Sequence, residues 1–229
     1  TLNQLVREAG LPKTTVFRYL KTLATIGFIE HDEESDRYRP GLGLWRLSHA
    51  SGPYETLKQV CRPAMKRLRE RFNETINLGL PDPLGFEVVA QVDSRYLLGG
   101  TNWIGMRGHA HASALGKVFL AHGVLPVPSG RLERVAPRTV TNVVSLLEDL
   151  ERVRRSGYAT TCEELEPGLL AVAAPVRDAG GVVVAALSIS APTFRIAADE
   201  LDRLGALVAE EAGRLSARLG HTTPKEGAA

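Results

Sequence analysis

Lys13, Thr14, Thr15, Arg18, Tyr19 and Lys21 are gathered in one short stretch near the start of the chain. Wound as a helix from Pro12 to Thr25, at about 100° per residue, the stretch has two faces. Thr14, Thr15, Arg18, Lys21, Thr22 and Thr25 share one of them, and Val16, Phe17, Leu20, Leu23 and Ala24 share the other. The polar face carries two long cations and several hydroxyls but no acid. Such groups contact phosphates, and an arginine among them reads guanine from the major groove. A second set lies far along the chain. Ser188 and Ser190 stand two apart in an apolar run, so on a strand their hydroxyls project to one face. Ala112, Ser113, Ala114 and Gly116 are small residues that open a helix. Free N–H groups and the positive end of the helix dipole at such a terminus favour an anion. Leu115, Leu169 and Trp103 supply apolar walls, and Trp103 and Met106, in a Gly-rich segment from Gly99 to Gly108, read equally as a lid or as core plugs.

Other chemistries fail on their spacing. Gly116-Lys117 resembles the end of a phosphate loop, but position 111 is His111 where glycine is needed, and Val118 replaces the hydroxyl residue. Ala186-Leu-Ser-Ile-Ser190 is not a nucleophile elbow. His109 and His111, with Cys162 and Glu163, are zinc-ligand residue types, but a His pair two apart before a helix reads as packing or capping. No metal and no cofactor are expected.

The basic stretch needs a scaffold, and the flanking residues supply one. Thr1-x-x-Gln4 is a capping box, Leu2, Leu5, Val6 and Ala9 recur at helical spacing, and Gly10 supplies a left-handed stop. Two short helices joined by a Gly-containing turn, the second basic, form a helix-turn-helix. Gly27 ends the second helix. Phe28 to His31 forms a strand, Asp32 to Asp36 a polar turn, and Arg37-Tyr38-Arg39 the return strand. This hairpin is a wing whose Arg37 and Arg39 reach DNA backbone or minor groove. Residues 1–29 hold four cations against Glu8, and five acids follow between Glu30 and Asp36, which makes a local basic footprint beside an acidic loop.

Pro40-Gly41 closes the wing, and Leu42, Trp45 and Leu47 through Ala50 suggest a connecting helix within a linker over 41–53. A long helix from Tyr54 to Phe72 follows, with Pro63 as a kink or break. Strands are expected at Thr75–Leu80, Phe86–Val92, Tyr96–Leu98, Val172–Asp178 and Val182–Ser190. Helices are expected at His109–Ala121, Val143–Ser156 (stopped by Gly157) and Ala198–Leu219, with a frayed tail over 222–229. The result is an α/β, more exactly α+β, protein: a small winged helix-turn-helix over 1–40 and a larger domain over 54–221, with a mostly antiparallel sheet flanked by helices.

The 229 residues are 44% apolar and 24% charged, with net charge +2, as in an ordinary globular protein. Cys61 and Cys162 are too few for a disulfide framework, which fits a reducing cytoplasm. No membrane span and no leader are read in the chain.

With these elements in place, the chain resembles the IclR family of bacterial regulators. Leu5-Val-Arg-Glu-Ala-Gly-Leu-Pro-Lys-Thr-Thr-Val-Phe-Arg-Tyr-Leu20 is similar to that family's helix-turn-helix. His111-Ala-Ser-Ala-Leu-Gly-Lys-Val-Phe-Leu-Ala121 is similar to its effector-domain motif. Gly157-Tyr158, Glu163-Glu164, Gly168, Ala173-Ala-Pro-Val176 and Leu187-Ser-Ile-Ser-Ala-Pro192 match its later motifs in order. The resemblance implies a GAF-like effector domain, dimers or tetramers, and control of palindromic operators. It also implies an effector pocket lined by Ala114, Leu115, Thr161, Leu169, Ala171, Ser188 and Ser190. Two features depart from the pattern. The family's DNA-binding domain has a further helix before the one that opens at Thr1, and Thr161-Cys162 stands where some members place an acid in the pocket.

The reading is therefore a homodimeric or tetrameric, cytoplasmic regulator that binds a double-stranded DNA operator. A small-molecule effector, a small or aromatic carboxylic acid, controls it. The stretch Leu42 to Leu57 is its candidate interface. The alternatives are a small-molecule hydrolase using the GAF-like pocket, or a protein-interaction module. No assembled nucleophile–base motif supports the first, and the second leaves the basic face of the Pro12–Thr25 helix unused.

Overall fold

The computed structural model describes residues 1–32, 34–44, 54–82, 85–96 and 101–222. The chain divides into two compact units, Thr1–Thr56 and Leu57–Ala229.

In the first unit, α1 (Leu2–Ala9) closes at Gly10, whose φ of 62° lets its N–H reach the Val6 carbonyl at 3.1 Å. Helix α2 spans Lys13–Thr25, with Pro12 just outside as its N-cap. Its buried stripe, Val16 and Leu20, is narrower than the spacing suggested. Phe17 is 52% exposed, and Ala24 also faces out. Phe17 and Ala24 lie about 100° and 80° round the helix from Val16, at one edge of the stripe. Strands β1 (Ile29–Asp32) and β2 (Arg37–Pro40) pair antiparallel, Ile29 opposite Pro40 and Asp32 opposite Arg37. The Asp32 carboxylate accepts from the Glu34 and Ser35 N–H groups and the Ser35 hydroxyl, which closes the turn and holds its pKa below the usual range. The hairpin seats against the end of α2 at Gly41, where a Cβ would lie 2.5 Å from the Gly27 carbonyl oxygen. Leu42–Leu44 are helical, and the rest of the expected connecting helix, 45–53, lies outside the described residues.

The second unit is a five-stranded sheet in the order β4-β3-β7-β6-β5 with every pairing antiparallel. Its strands are β3 (Thr75–Asp82), β4 (Gly85–Val92), β5 (Ala159–Cys162), β6 (Leu169–Arg177) and β7 (Val183–Pro192). One face carries Ile76, Leu78, Val172, Ala174, Leu187 and Ile189, packed under α3 (Glu55–Phe72) and α6 (Leu201–Arg218). The alternate residues, among them Val88, Ala173 and Ala186, face α4 (Ala114–Ala121) and α5 (Val143–Ser156). The sheet is thus covered on both sides, and β7, almost wholly apolar, lies within it.

Four further expectations are corrected. Helix α3 runs through Pro63 without a break, because Pro63 and Gln59, whose carbonyl loses its donor, are both exposed to water. Tyr96 lies in a bend and not a strand, and Leu97 and Leu98 lie outside the described residues. The helix expected from His109 starts only at Ala114, after a short 3-10 turn over Ala110–Ala112. Likewise the last helix begins at Leu201 behind a 3-10 turn at Ala198–Glu200. Residues 223–229 of the expected tail lie outside the described residues.

Candidate functional site

On the first unit, α2 presents Lys13, Thr14, Arg18, Tyr19 and Lys21 as exposed residues, with Thr15 half-buried. Tyr19 lies beneath the Arg18 guanidinium at 5.9 Å. Two hydroxyls assigned to this face are engaged within the helix. Thr22 Oγ1 donates to the Arg18 carbonyl and Thr25 Oγ1 to that of Lys21, so they are not free phosphate donors. On the wing, Arg39 faces Glu30 across the hairpin and pairs with it at 2.8 Å. Arg37 is exposed. Both groups of the Arg39–Glu30 pair are solvated, so the pair is weak.

On the second unit, a cavity of about 200 Å³ opens between α4 and the sheet. Strand register assembles its floor. Ser190 pairs with Ala171, Ala171 with Thr161, and Ser188 lies between Asn77 and Ala173. Ser188, Thr161, Ala171 and Ser190 therefore face the same space, although they come from three strands. Ala114 and Leu115, in the first turn of α4, form the opposite wall. The N-cap residue Ser113 makes no side-chain cap bond, so the first-turn N–H groups keep their capacity for another acceptor. The turn over Ala110–Ala112 packs directly on α4 because Gly116 has no Cβ. One placed there would lie 2.3 Å from Ala110 Cα. Trp103, Met106 and Leu169 complete the apolar lining.

The segment carrying Trp103 and Met106 is pinned to the open edge of β4. Gly105 N–H donates to the Val88 carbonyl at 2.8 Å, and Val88 N–H to that of Met106 at 3.1 Å. The Trp103 N–H donates to Gln91 Oε1 at 2.8 Å. Trp103 and Met106 are thus part of a fixed wall and not a plug within the core.

Cys162 is the one expected effector residue that the cavity does not include. It follows Thr161 on β5 and pairs with Leu170, so strand alternation turns it to the other side of the sheet. Several lining residues escaped the sequence reading: Asn77, Phe86, Val88, Arg107 and Leu165. Alternation on β3 and β4 signalled the first three, but nothing in the sequence brought those strands to this helix. His109 also lines the cavity. It points towards Glu133 at 3.6 Å, and His111 bonds the Glu133 carbonyl at 2.9 Å. Among the described residues no cluster of His, Cys, Asp or Glu could hold a metal ion.

Behind the cavity, Lys117 is 1% exposed, and its Nζ lies 2.9 Å from Asp149 Oδ2 and 2.8 and 2.9 Å from the two oxygens of Glu164. This is the structural use of the lysine that mimics a phosphate loop. It ties α4 and α5 to the loop that carries Leu165. Burial raises the Glu164 pKa, with the Lys117 charge opposing.

Family models match both units. Residues 54–217 match the bacterial transcriptional regulator IclR C-terminal model, and residues 1–33 match the IclR helix-turn-helix domain. The chain belongs to the IclR family. It is 34% identical, over 96% of its length and 86% of the relative's, to the HTH-type transcriptional regulator KdgR of Escherichia coli strain K12. It is 32% identical, over 98% of this chain and 84% of the relative, to the HTH-type transcriptional repressor AllR of Salmonella typhi. A solved structure of an IclR homolog complexed with 4-hydroxybenzoate, from Microbacterium hydrocarbonoxydans, aligns with a TM-score of 0.62 at 26% identity. That alignment covers 95% of this chain and 91% of the other. This IclR-family protein is accordingly a DNA-binding transcriptional regulator, and its relatives are regulators and not hydrolases. Among the described residues no helix is long and apolar enough to cross a membrane.

Proposed function

We propose that this regulator is a repressor whose operator affinity is set by a small carboxylic acid bound in the second unit. In this reading residues 1–40 bind double-stranded DNA, 41–53 link, and 54–221 bind the effector. The protein acts in the cytoplasm as a homodimer or tetramer. Arg18 reads a base edge. Lys13, Lys21, Arg37 and Arg39 neutralise phosphates, with Thr14, Thr15 and Tyr19 completing the surface.

One observation carries the effector reading: the uncapped start of α4 and the Ser188 and Ser190 strand face each other across one largely apolar cavity. Backbone N–H groups and the helix dipole at Ala114 and Leu115 receive the carboxylate. Trp103, Met106, Leu169 and Ala171 enclose the body, and Ser188, Ser190 and Thr161 offer hydroxyls. The volume suits a compact acid, below the roughly 300–1,000 Å³ of drug-sized sites. The related protein complexed with 4-hydroxybenzoate supports this class. Control is by linkage. An acid that binds one arrangement of the oligomer better than another shifts the spacing of its recognition helices, which must match DNA half-sites about one turn apart.

The test replaces Ser188 and Ser190 together with alanine. The double variant should need a higher concentration of acid to change operator binding, while keeping its fold and its ligand-free DNA affinity. An unchanged response to a bound acid would remove the assignment. Light scattering tests the assembly, and a monomer both free and on DNA would exclude the linkage mechanism.

A further inference from the structure

Asn77 lies in the middle of β3, opposite Gln91 of β4 on one side and Ser188 of β7 on the other. It is 3% exposed and lines the cavity. Its Nδ2 donates to Ser190 Oγ at 3.4 Å, and its Oδ1 meets no donor among the described residues. Buried amide oxygens without a donor are rare in native proteins, and each marks a use or a strain. The neighbouring Gln91 gives no help. Its oxygen accepts from Trp103 N–H, and its amide nitrogen donates to Asp93 Oδ1 at 2.6 Å and to the Thr101 carbonyl at 3.2 Å. The Asn77 oxygen is therefore left for whatever occupies the cavity.

In this orientation of the amide, a ligand group beside Oδ1 donates a hydrogen bond to it. An ammonium would need a counter-charge, but the described lining holds no carboxylate and does hold the cation Arg107. A hydroxyl fits better. It donates to Oδ1, and it can equally accept if the amide turns over and takes its bond from Ser190 instead. From this we infer that Asn77 is a specificity residue that reads a hydroxyl group on the effector. The effector is then a hydroxycarboxylic acid, with its carboxylate at the start of α4 and its hydroxyl on the sheet floor. The inference rests on the carboxylate reading given above.

Matched acids differing by one hydroxyl test it on the full chain by calorimetric titration: glycolate against acetate, 3-hydroxybutyrate against butyrate, and 4-hydroxybenzoate against benzoate. In the wild type at least one hydroxy acid should bind roughly tenfold or more tightly than its partner. In Asn77→Leu that preference should fall below about threefold, while the partner acid keeps its affinity. Because the substitution removes an unpaired buried amide, the ligand-free variant should melt no lower than wild type, a readout that a merely structural asparagine would not give. Asn77→Ala, measured alongside, carries the same comparison should the leucine variant misfold. Equal affinities within every pair, or a preference that survives at Asn77, overturn the hydroxyl assignment and leave the carboxylate reading standing. If none of the six acids binds, the carboxylate reading fails and the hydroxyl assignment falls with it.

Discussion

Lys117 Nζ touches both oxygens of Glu164, at 2.8 and 2.9 Å, from inside the helix whose first turn lines the cavity of the second unit. Glu164 directly precedes Leu165, which lines that cavity, so one buried ion pair fixes two of its walls. Lys117→Met should destabilise the protein by about 3–5 kcal/mol, since the buried Glu164 is left without its ion-pair partner while Asp149 keeps only Arg152. Adding Glu164→Gln should recover part of that loss. Urea denaturation of the single and double variants measures both effects, and a single variant as stable as wild type contradicts the role given to the lysine.

Gly116→Ala should also be costly. The added methyl meets the Ala110 backbone at 2.3–2.7 Å, so α4 must move away from the turn before it. A loss of about 1–3 kcal/mol is expected, as for other overpacked sites. Weaker effector binding should accompany it, because the first turn of α4 forms the cavity wall.

DNA binding separates base contacts from phosphate contacts. Arg18→Ala should weaken operator binding by roughly 1–3 kcal/mol and relax sequence preference. Arg39→Ala should weaken specific and nonspecific binding alike and lower the salt slope by about one. Glu30→Gln frees Arg39 from its pair on the wing and should strengthen binding modestly, most at low salt. Fluorescence anisotropy across a salt series distinguishes the three variants. Unchanged operator affinity in Arg18→Ala would mean that another face of α2 enters the groove.

His122 gives the protein a pH dependence. Burial, with Arg177 and Arg154 nearby, pushes its pKa down from 6.5 to about 4. The unfolded chain therefore takes up a proton more readily than the folded one between these values. The stabilising contribution is complete above pH 6.5 and is lost as pH falls towards 4. Because the ring is only partly buried, roughly 1–2 kcal/mol is expected after solvent screening. Glu164, whose pKa burial raises, contributes in the opposite sense as pH rises above 4.5. Comparing urea midpoints of wild type and His122→Asn from pH 7 to pH 4 isolates the histidine. Parallel curves would rule out this contribution.

The helix-turn-helix and wing were legible because each boundary has a local cause: Gly10 in the left-handed region, the Asp32 turn, and the alternation of the return strand. The helix at 143–156 was equally plain, with Asn142 accepting from Val144 N–H and Gly157 ending it. The pocket was legible only where a motif named it. Ser188 and Ser190 share a face by simple alternation, and the same rule, applied to β5, should have excluded Cys162. Asn77 was missed because its relevance depends on β3 pairing with β7, a contact between residues more than a hundred positions apart that local periodicity cannot encode. Lys117 was weighed only as a failed phosphate loop, because its partners Asp149 and Glu164 are distant in sequence.

In the proposed function a small acid bound in the second unit governs operator binding by the first. The most direct measurement is operator affinity, by fluorescence anisotropy on a duplex selected from random sequence by the purified protein. It is made with and without a saturating carboxylic acid whose binding has been fixed by calorimetry. Wild type should change affinity at least about fivefold, the lower end of ordinary coupling energies, and the Ser188→Ala, Ser190→Ala double variant should need more acid to reach the same change. An acid that saturates the cavity yet leaves operator affinity unchanged would contradict the account.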